Sequence, residues 1–239
     1  MNSVVIVAAG SGKRMKLDFN KQYIKLREKE VIAHTIEVFY KNPNIHEIVV
    51  CIKKEEEKFF KEQIIDKYQF ENIKLAYGGA ERQDSIHNGL QKVNKDCDIV
   101  LIHDGARPFI DNKVINESIE AAKEKGAVVV GVPVRDTIKV VSQETIEKTP
   151  DRSTLWAAQT PQTFEYKLIM KAYEEAYKSY YYGTDDSMLV ENIGKNVTMI
   201  MGSYENIKIT TPEDIDYAEH ILNIRKNKKH AKVRRIVWE

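Results

Sequence analysis

Three short apolar runs in this 239-residue chain each end in glycine and then in charge. The first leads into Ala8-Ala9-Gly10-Ser11-Gly12-Lys13-Arg14-Met15, and the second into Gly78-Gly79-Ala80-Glu81-Arg82-Gln83-Asp84-Ser85. The third ends in His103-Asp104-Gly105-Ala106-Arg107-Pro108. Glycine lets the backbone turn tightly and approach a ligand without side-chain interference. Lys13, Arg14, Arg82 and Arg107 offer the cations that a phosphate-bearing ligand needs. Asp104 is one acid among them. That suits Mg²⁺, or another divalent cation, bridging to phosphates, because magnesium usually takes only one or two protein carboxylates. A salt bridge from Asp104 to Arg107, three residues on, is the competing assignment. For His103 a hydrogen-bonded structural role stands ahead of a ligand role.

The first stretch is not a dinucleotide fingerprint, whose sixth position would be glycine where Met15 stands. Nor is it a Walker loop, since Gly10 and Gly12 are too close together and Arg14 follows the lysine. Taken alone, it also matches a tight strand-to-helix turn with solvated cations. Ser11, Ser85 and Ser187 have no histidine partner in sequence. Cations and glycines without a nucleophile fit transfer between phosphates, where catalysis is mostly positioning and charge neutralisation.

The elements that must hold these stretches alternate. Apolar, β-branched runs at 4–7, Glu47–Ile52, Ile73–Tyr77, 98–102 and 127–132 read as strands. Helical periodicity covers Val31–Tyr40, about 54–67, a segment with Ile86, Leu90 and Val93 on one face, and Asn112–Lys125. This predicts an α/β fold: one open, mostly parallel sheet with helices on both faces, whose ligands lie beyond the carboxyl ends of the strands. From Val134 the rhythm changes, with short strands expected at 137–141 and around Leu155, so residues 134–155 read as an extended arm. Helices are expected over Tyr166–Lys178 and 184–192, the latter capped by Thr184 or Asp185. Strands follow at 197–201 and 206–210, then a last helix starting at Thr211-Pro212-Glu213-Asp214. From Arg225 onward seven Lys or Arg residues face the single acid Glu239. That reads as a solvated tail, with a phosphate or RNA contact as the sharper alternative. One domain over 1–225 and a basic tail over 226–239 result.

A net charge of +1 gives no global pull toward nucleic acid or an anionic membrane, and neither is expected as a partner. Apolar runs such as 127–133 fall short of the roughly 20 residues a membrane helix needs. The chain enters a strand at once, without a signal-peptide pattern. Cys51 and Cys97 lie in apolar runs without metal-ligand spacing, as buried free thiols in a reducing cytoplasm would.

Six ordered motifs carry a family resemblance: the first glycine stretch with Lys21-Gln22-Tyr23, the second and third stretches, Val134-Arg135-Asp136-Thr137, Ala158-Gln159-Thr160-Pro161-Gln162 and Asn206-Ile207-Lys208-Ile209-Thr210. Together they resemble the sugar-phosphate nucleotidyltransferases, and more narrowly the cytidylyltransferases of small polyol phosphates, over essentially the whole chain to about residue 225. The resemblance implies a Rossmann-like nucleotidyltransferase fold that uses CTP and a polyol phosphate with Mg²⁺. It implies that Arg14 and Lys21 stabilise the transition state and that Arg152 and Lys208 hold the acceptor phosphate. Ala8, Ala9, Gly10, Lys13, Gly79, Arg82, Ser85 and Gly105 would bind the nucleotide, and Asp104 the metal. Thr137, Arg107, Thr160 and Thr184 would contact the acceptor. It further implies a homodimer in which the arm, carrying Thr137 and Arg152, completes the partner's site.

Three departures stand out. Asn20 replaces the usual Pro before Lys21, Ala80 stands where an acid is common, and Gly105 replaces Ala, which would leave more room near the nucleotide. Leu155-Trp156-Ala157-Ala158 and Val132-Pro133-Val134-Arg135-Asp136 favour an erythritol phosphate acceptor over ribitol 5-phosphate. A non-catalytic nucleotide-binding module on the same fold is the alternative from another class. Arg14, Lys21, Asp104, Arg152 and Lys208, all intact, argue against it.

Overall fold

The computed structural model describes residues 1–10 and 21–236, excepting the side chains of Lys21 and of residues 228–236. In chain order the first half contains β1 (Asn2–Val7), a 3₁₀ turn at Lys21–Tyr23, the short β2 (Lys25–Leu26) and β3 (Lys29–Glu30), α1 (Val31–Tyr40) and β4 (Glu47–Ile52). It continues with α2 (Glu57–Phe60), β5 (Ile73–Tyr77), α3 (Arg82–Leu90), β6 (Ile99–Asp104) and α4 (Asn112–Lys125). The second half has β7 (Ala127–Pro133), β8 (Val140–Ser142), β9 (Thr145–Lys148), β10 (Trp156–Glu165), α5 (Tyr166–Lys178), α6 (Asp186–Asn192), β11 (Thr198–Met201) and α7 (Pro212–Ile236).

The central sheet has the order β11-β7-β10-β6-β1-β4-β5, and every neighbouring pair is parallel except those made by β10. This is the open, mostly parallel sheet expected. Alternation along the strands sorts side chains into two cores. Val4 and Ile6 of β1 face α1 and α4 through Ile32, Phe39 and Ile115, while Val5 faces α3, α5 and α6 through Ile86, Ile169 and Leu189. Helices therefore cover both faces. A third cluster around Leu26, Phe109 and Ile209 seats Ala218 and Ile221 of α7.

β10 departs from the expectation of one short strand near Leu155. It is a ten-residue strand, antiparallel to both neighbours in mid-sheet, with a register shift between Ala158 and Gln162 where Pro161 sits. Proline cannot donate a ladder hydrogen bond, so it is tolerated inside a sheet at such an irregularity. Residues 206–210, expected as a strand, form a loop tied to the core by Ile209 N–H donating to Ala106 O at 2.9 Å. The arm is a small β8–β9 hairpin on an otherwise irregular excursion. Asp185 caps α6, accepting from Met188 N–H at 3.1 Å. The segment expected as one helix over 54–67 runs through 3₁₀, α and π geometry in turn. The last helix continues unbroken past residue 225. Cys51 and Cys97 are buried free thiols.

Gly89 shows how tightly α3 is laid on the sheet. A Cβ there would lie 2.6 Å from both Cys51 Sγ and Val5 Cγ1. Gly89→Ala is expected to destabilise the fold by about 1–3 kcal/mol through overpacking, read as a lower denaturation midpoint at unchanged m-value. An unchanged midpoint would mean that the helix can slide at no cost.

Candidate active site

The carboxyl ends of β1, β4, β5 and β6 open onto a cavity of about 640 Å³. Ala8, Ala9 and Gly10 form one wall, Gly79 and Ser85 another, and Arg82, Asp104 and Lys208 supply charge. The size is that of a small-molecule site. The small residues have a local cause: β1 must end where the chain reverses, and a larger side chain at Ala8 or Ala9 would fill the space. Gln22 keeps the wall in place by donating to Ala8 O. Next to it, the Tyr23 ring packs edge-on to Phe59 at 4.9 Å, and its hydroxyl donates to Glu56 at 2.9 Å.

Asp104 ends β6 and is the electrostatic centre. Its Oδ2 lies 2.8 Å from Lys208 Nζ and 3.4 Å from Arg107 Nε. Burial pushes the carboxyl up, but Lys208, Arg82 and Arg107 outweigh it and hold it well below the usual carboxylate range. The Asp104–Arg107 ion pair proposed from spacing is thus present. It leaves Asp104 ionised at the cavity.

A hydrogen-bonded chain fixes the Asp104 backbone from behind. Asp104 N–H donates to Thr160 Oγ1 at 3.0 Å. The Thr160 hydroxyl then has its proton free for His103 Nδ1 at 3.1 Å, and Nε2–H of His103 donates to Arg107 O at 3.0 Å. These are the roles of the neutral imidazole, the form that burial favours. Accordingly, burial holds His103 down to about 4. His103 is structural, as its first reading had it.

Arg82 opens α3, whose N-terminus carries a Glu81/Asp84 capping box. Its guanidinium pairs with Asp186 at 2.8 Å. Burial works against the Arg82 charge, but Asp186 and Asp104 more than restore it. Lys208 reaches Asp104 from the 206–210 loop, which Arg107 Nη1 steadies by donating to Asn206 O at 2.8 Å.

Eight of the expected site residues therefore meet at one cavity: Ala8, Ala9, Gly10, Gly79, Arg82, Ser85, Asp104 and Lys208. Thr160 and Arg107 stand behind it as braces. Gly105 lies to one side, where a Cβ would be 2.8 Å from Ile32 Cδ1 and 3.0 Å from Val7 O. Its lack of a side chain serves close packing under β1, which corrects the expectation of extra room near the nucleotide. Thr137 and Arg152 are exposed in the arm, and Arg152 donates to Arg135 O at 2.8 Å. Thr184 is exposed beside Met188. None of these three lines the cavity in a single chain. Lys13, Arg14 and the Lys21 side chain lie outside the described residues. Lys53 and Lys54 also line the cavity, at the end of β4, and went unremarked in the sequence although the strand-end rule covers them equally. Asp186 carried no sequence signal beyond its place in a helix.

An ionised carboxylate among cations, at the carboxyl edge of a mostly parallel sheet and beside a wall of small residues, suits the phosphates and base of a nucleotide. The family model described as "IspD: 2-C-methyl-D-erythritol 4-phosphate cytidylyltransferase" matches residues 2–224. A protein of that name from Clostridioides difficile is 73% identical over 237 residues, 99% of this chain and 100% of that protein. One from Alkaliphilus oremlandii is 51% identical, covering 94% and 96%. The crystal structure of 4-diphosphocytidyl-2C-methyl-D-erythritol synthase from Anaerococcus prevotii superposes with a TM-score of 0.83 at 35% identity, covering 93% of this chain and 96% of that one. The chain belongs to the 2-C-methyl-D-erythritol 4-phosphate cytidylyltransferase family. No helix among the described residues is long and apolar enough to cross a membrane.

Proposed function

We propose that this chain transfers CMP from CTP to 2-C-methyl-D-erythritol 4-phosphate and releases pyrophosphate, a step of isoprenoid precursor synthesis in the cytoplasm. The observation that carries the reading is the Asp104, Lys208 and Arg82 charge cluster facing the small-residue wall of the cavity. A phosphate monoester is mostly dianionic at neutral pH, its second pKa being about 6. Its oxygen attacks the α-phosphorus of CTP. The new O–P bond forms as the bond to the β-phosphate bridging oxygen breaks, and pyrophosphate leaves with the electron pair. No proton has to move, which agrees with His103 being locked inside the fold.

The barrier is then anion meeting anion, and the chain's work is to cancel charge. Ala8, Ala9, Gly10, Gly79 and Ser85 take the cytidine, their small side chains leaving the base room against the wall. Arg82 and Lys13 take phosphates, Arg14 and Lys21 meet the charge developing on the transferring group, and Lys208 meets the acceptor phosphate. Asp104 fits a divalent cation: it is ionised and open to the cavity. Among the described residues, no group of three or more His, Cys, Asp or Glu forms an all-protein cage. Such a site matches Mg²⁺ held by one carboxylate with phosphate oxygens and water. When bound, the ion neutralises triphosphate charge.

Arg152 and Thr137, exposed on the arm, serve the acceptor of a second copy in this reading, and Thr184 closes the acceptor side. A mixture of Arg14→Ala and Arg152→Ala subunits is expected to regain activity that neither has alone. Hybrid dimers without recovery would remove the shared site. The reaction itself is tested by pyrophosphate release from CTP, Mg²⁺ and each polyol phosphate in turn. Preference for ribitol 5-phosphate would overturn the acceptor assignment, and no release with any acceptor would overturn the enzyme reading.

A further inference from the structure

Arg82 is the one cavity cation whose partner lies wholly inside the protein among the described residues. Its Nη2 donates to Asp186 Oδ2 at 2.8 Å, and Asp186 is only 1% exposed. The other carboxylate oxygen, Oδ1, accepts the hydroxyl of Tyr173 at 2.6 Å, and Tyr173 is itself fully buried in α5. Asp186 is also fixed through its backbone, since its N–H donates to Gln162 Oε1 at 3.0 Å. Gln162, on β10, takes a second N–H from Ser187 and donates to Asp185 at 2.8 Å. Helices α3, α5 and α6 and strand β10 thus converge on one carboxylate.

We propose that Asp186, backed by Tyr173, is the positioning residue that aims Arg82 at the triphosphate of CTP. The proposal rests on the cytidylyltransferase reading above. A guanidinium has five N–H donors in a fixed fork. With one given to Asp186, the rest of the fork is directed by that anchor into the cavity that Arg82 lines. The anchor also settles a competition. Asp104 is the other acid acting on Arg82 across the site. Without Asp186, a buried Arg82 has Asp104 as its counter-ion, and both groups would neutralise each other instead of meeting phosphate and cation. Asp186 keeps Arg82 to the nucleotide side and leaves Asp104 to Lys208. Its own burial as an anion is tolerable only because Arg82 pairs with it. Lys208, which meets the acceptor phosphate in that reading, makes no contact with this anchor among the described residues.

The test is a cycle among Asp186→Asn, Tyr173→Phe and Arg82→Ala, read by calorimetric binding of Mg–CTP and by steady-state kinetics. Asp186→Asn keeps the shape and removes the charge. It is expected to raise the Mg–CTP dissociation constant and the KM for CTP by about 10-fold or more, with the KM for the polyol phosphate within about 2-fold. Tyr173→Phe should move the same quantities in the same direction by less. On an Arg82→Ala background, Asp186→Asn should add nothing further to CTP binding. Equal weakening toward both substrates, or a full additional loss on that background, would overturn the proposal. Should Asp186→Asn not fold, the Tyr173→Phe and Arg82→Ala pair completes the same cycle. Calorimetry separates this outcome from the functional reading, which stands or falls on pyrophosphate release by the unaltered protein.

Discussion

Asparagine at position 104 is expected to lower kcat by roughly 10³-fold while leaving binding of metal-free CTP as tight as before or tighter. Two effects oppose each other. Asp104→Asn removes the one anion that Lys208 and Arg107 contact among the described residues, which makes the cavity more positive and more attractive to a triphosphate. It also removes the carboxylate that fits the divalent cation, and with it the alignment of the charges to be neutralised. The second effect dominates turnover, because losing one well-placed electrostatic contact at a reacting phosphate costs about 10²–10³ in rate and metal assistance is worth several kcal/mol more. Asparagine can still accept from Lys208, so the local geometry is largely kept. The Asp104 carboxyl lies well below the ordinary value of 3.8, and it stays ionised wherever the protein is assayed. The acid limb of the rate profile should therefore follow the acceptor phosphate, near pH 6, in both forms. Calorimetry without metal and turnover with saturating Mg²⁺ read the two halves separately. Turnover within 10-fold of the unaltered protein would remove Asp104 from the chemistry.

Lys208→Ala is expected to cut kcat/KM for the polyol phosphate by roughly 10²-fold, mainly through KM. A charge-assisted hydrogen bond to phosphate is worth about 1.5–3 kcal/mol. Lys208 is about a third exposed, so its removal opens no core cavity. Asp104 keeps Arg107 as its partner and the loop keeps its anchors, among them Ile209 to Ala106, Arg107 to Asn206 and Asn206 to Thr160. The KM for CTP should accordingly stay within about 3-fold. Varying each substrate at saturation of the other decides it: a rise confined to CTP would place Lys208 on the nucleotide instead.

Fold and site were legible in the sequence to different depths. β1, β4, β6 and β7 are buried along almost their whole length, so nearly every residue must be apolar and the pattern announces itself. β10 is equally buried over residues 159–164, yet it reads Gln159-Thr160-Pro161-Gln162-Thr163-Phe164. Its polar groups are satisfied by distant partners: Gln159 by Ser203, Gln162 by Asp185 and Thr163 by Ser118. Local pattern cannot show such pairings, so only the end near Leu155 looked like a strand. The reverse error has the same root. Ile207 and Ile209 alternate as in a strand, but the segment spends its bonds on tying Lys208 down. The site was legible where backbone chemistry demands particular residues, at Ala8, Gly79 and Asp104. It was illegible where a side chain acts through another, at Asp186 and in the bracing role of Thr160.

The placement of β10 also says what residues 134–155 are to the fold. Trp156 is paired with Pro133, and Val134 N–H donates to Leu155 O at 3.1 Å, so the chain leaves the sheet and re-enters it at the same point between strands that are already partners. Topologically the excursion is an insertion between adjacent strands, closed at its neck, and the sheet's register owes nothing to what lies beyond that neck. Changing its length registers in the sheet only as loop-closure entropy, about 0.6 kcal/mol per doubling. The sheet thus places no demand on the excursion beyond its neck, and what must be kept there is set by the residues it carries, Thr137 and Arg152.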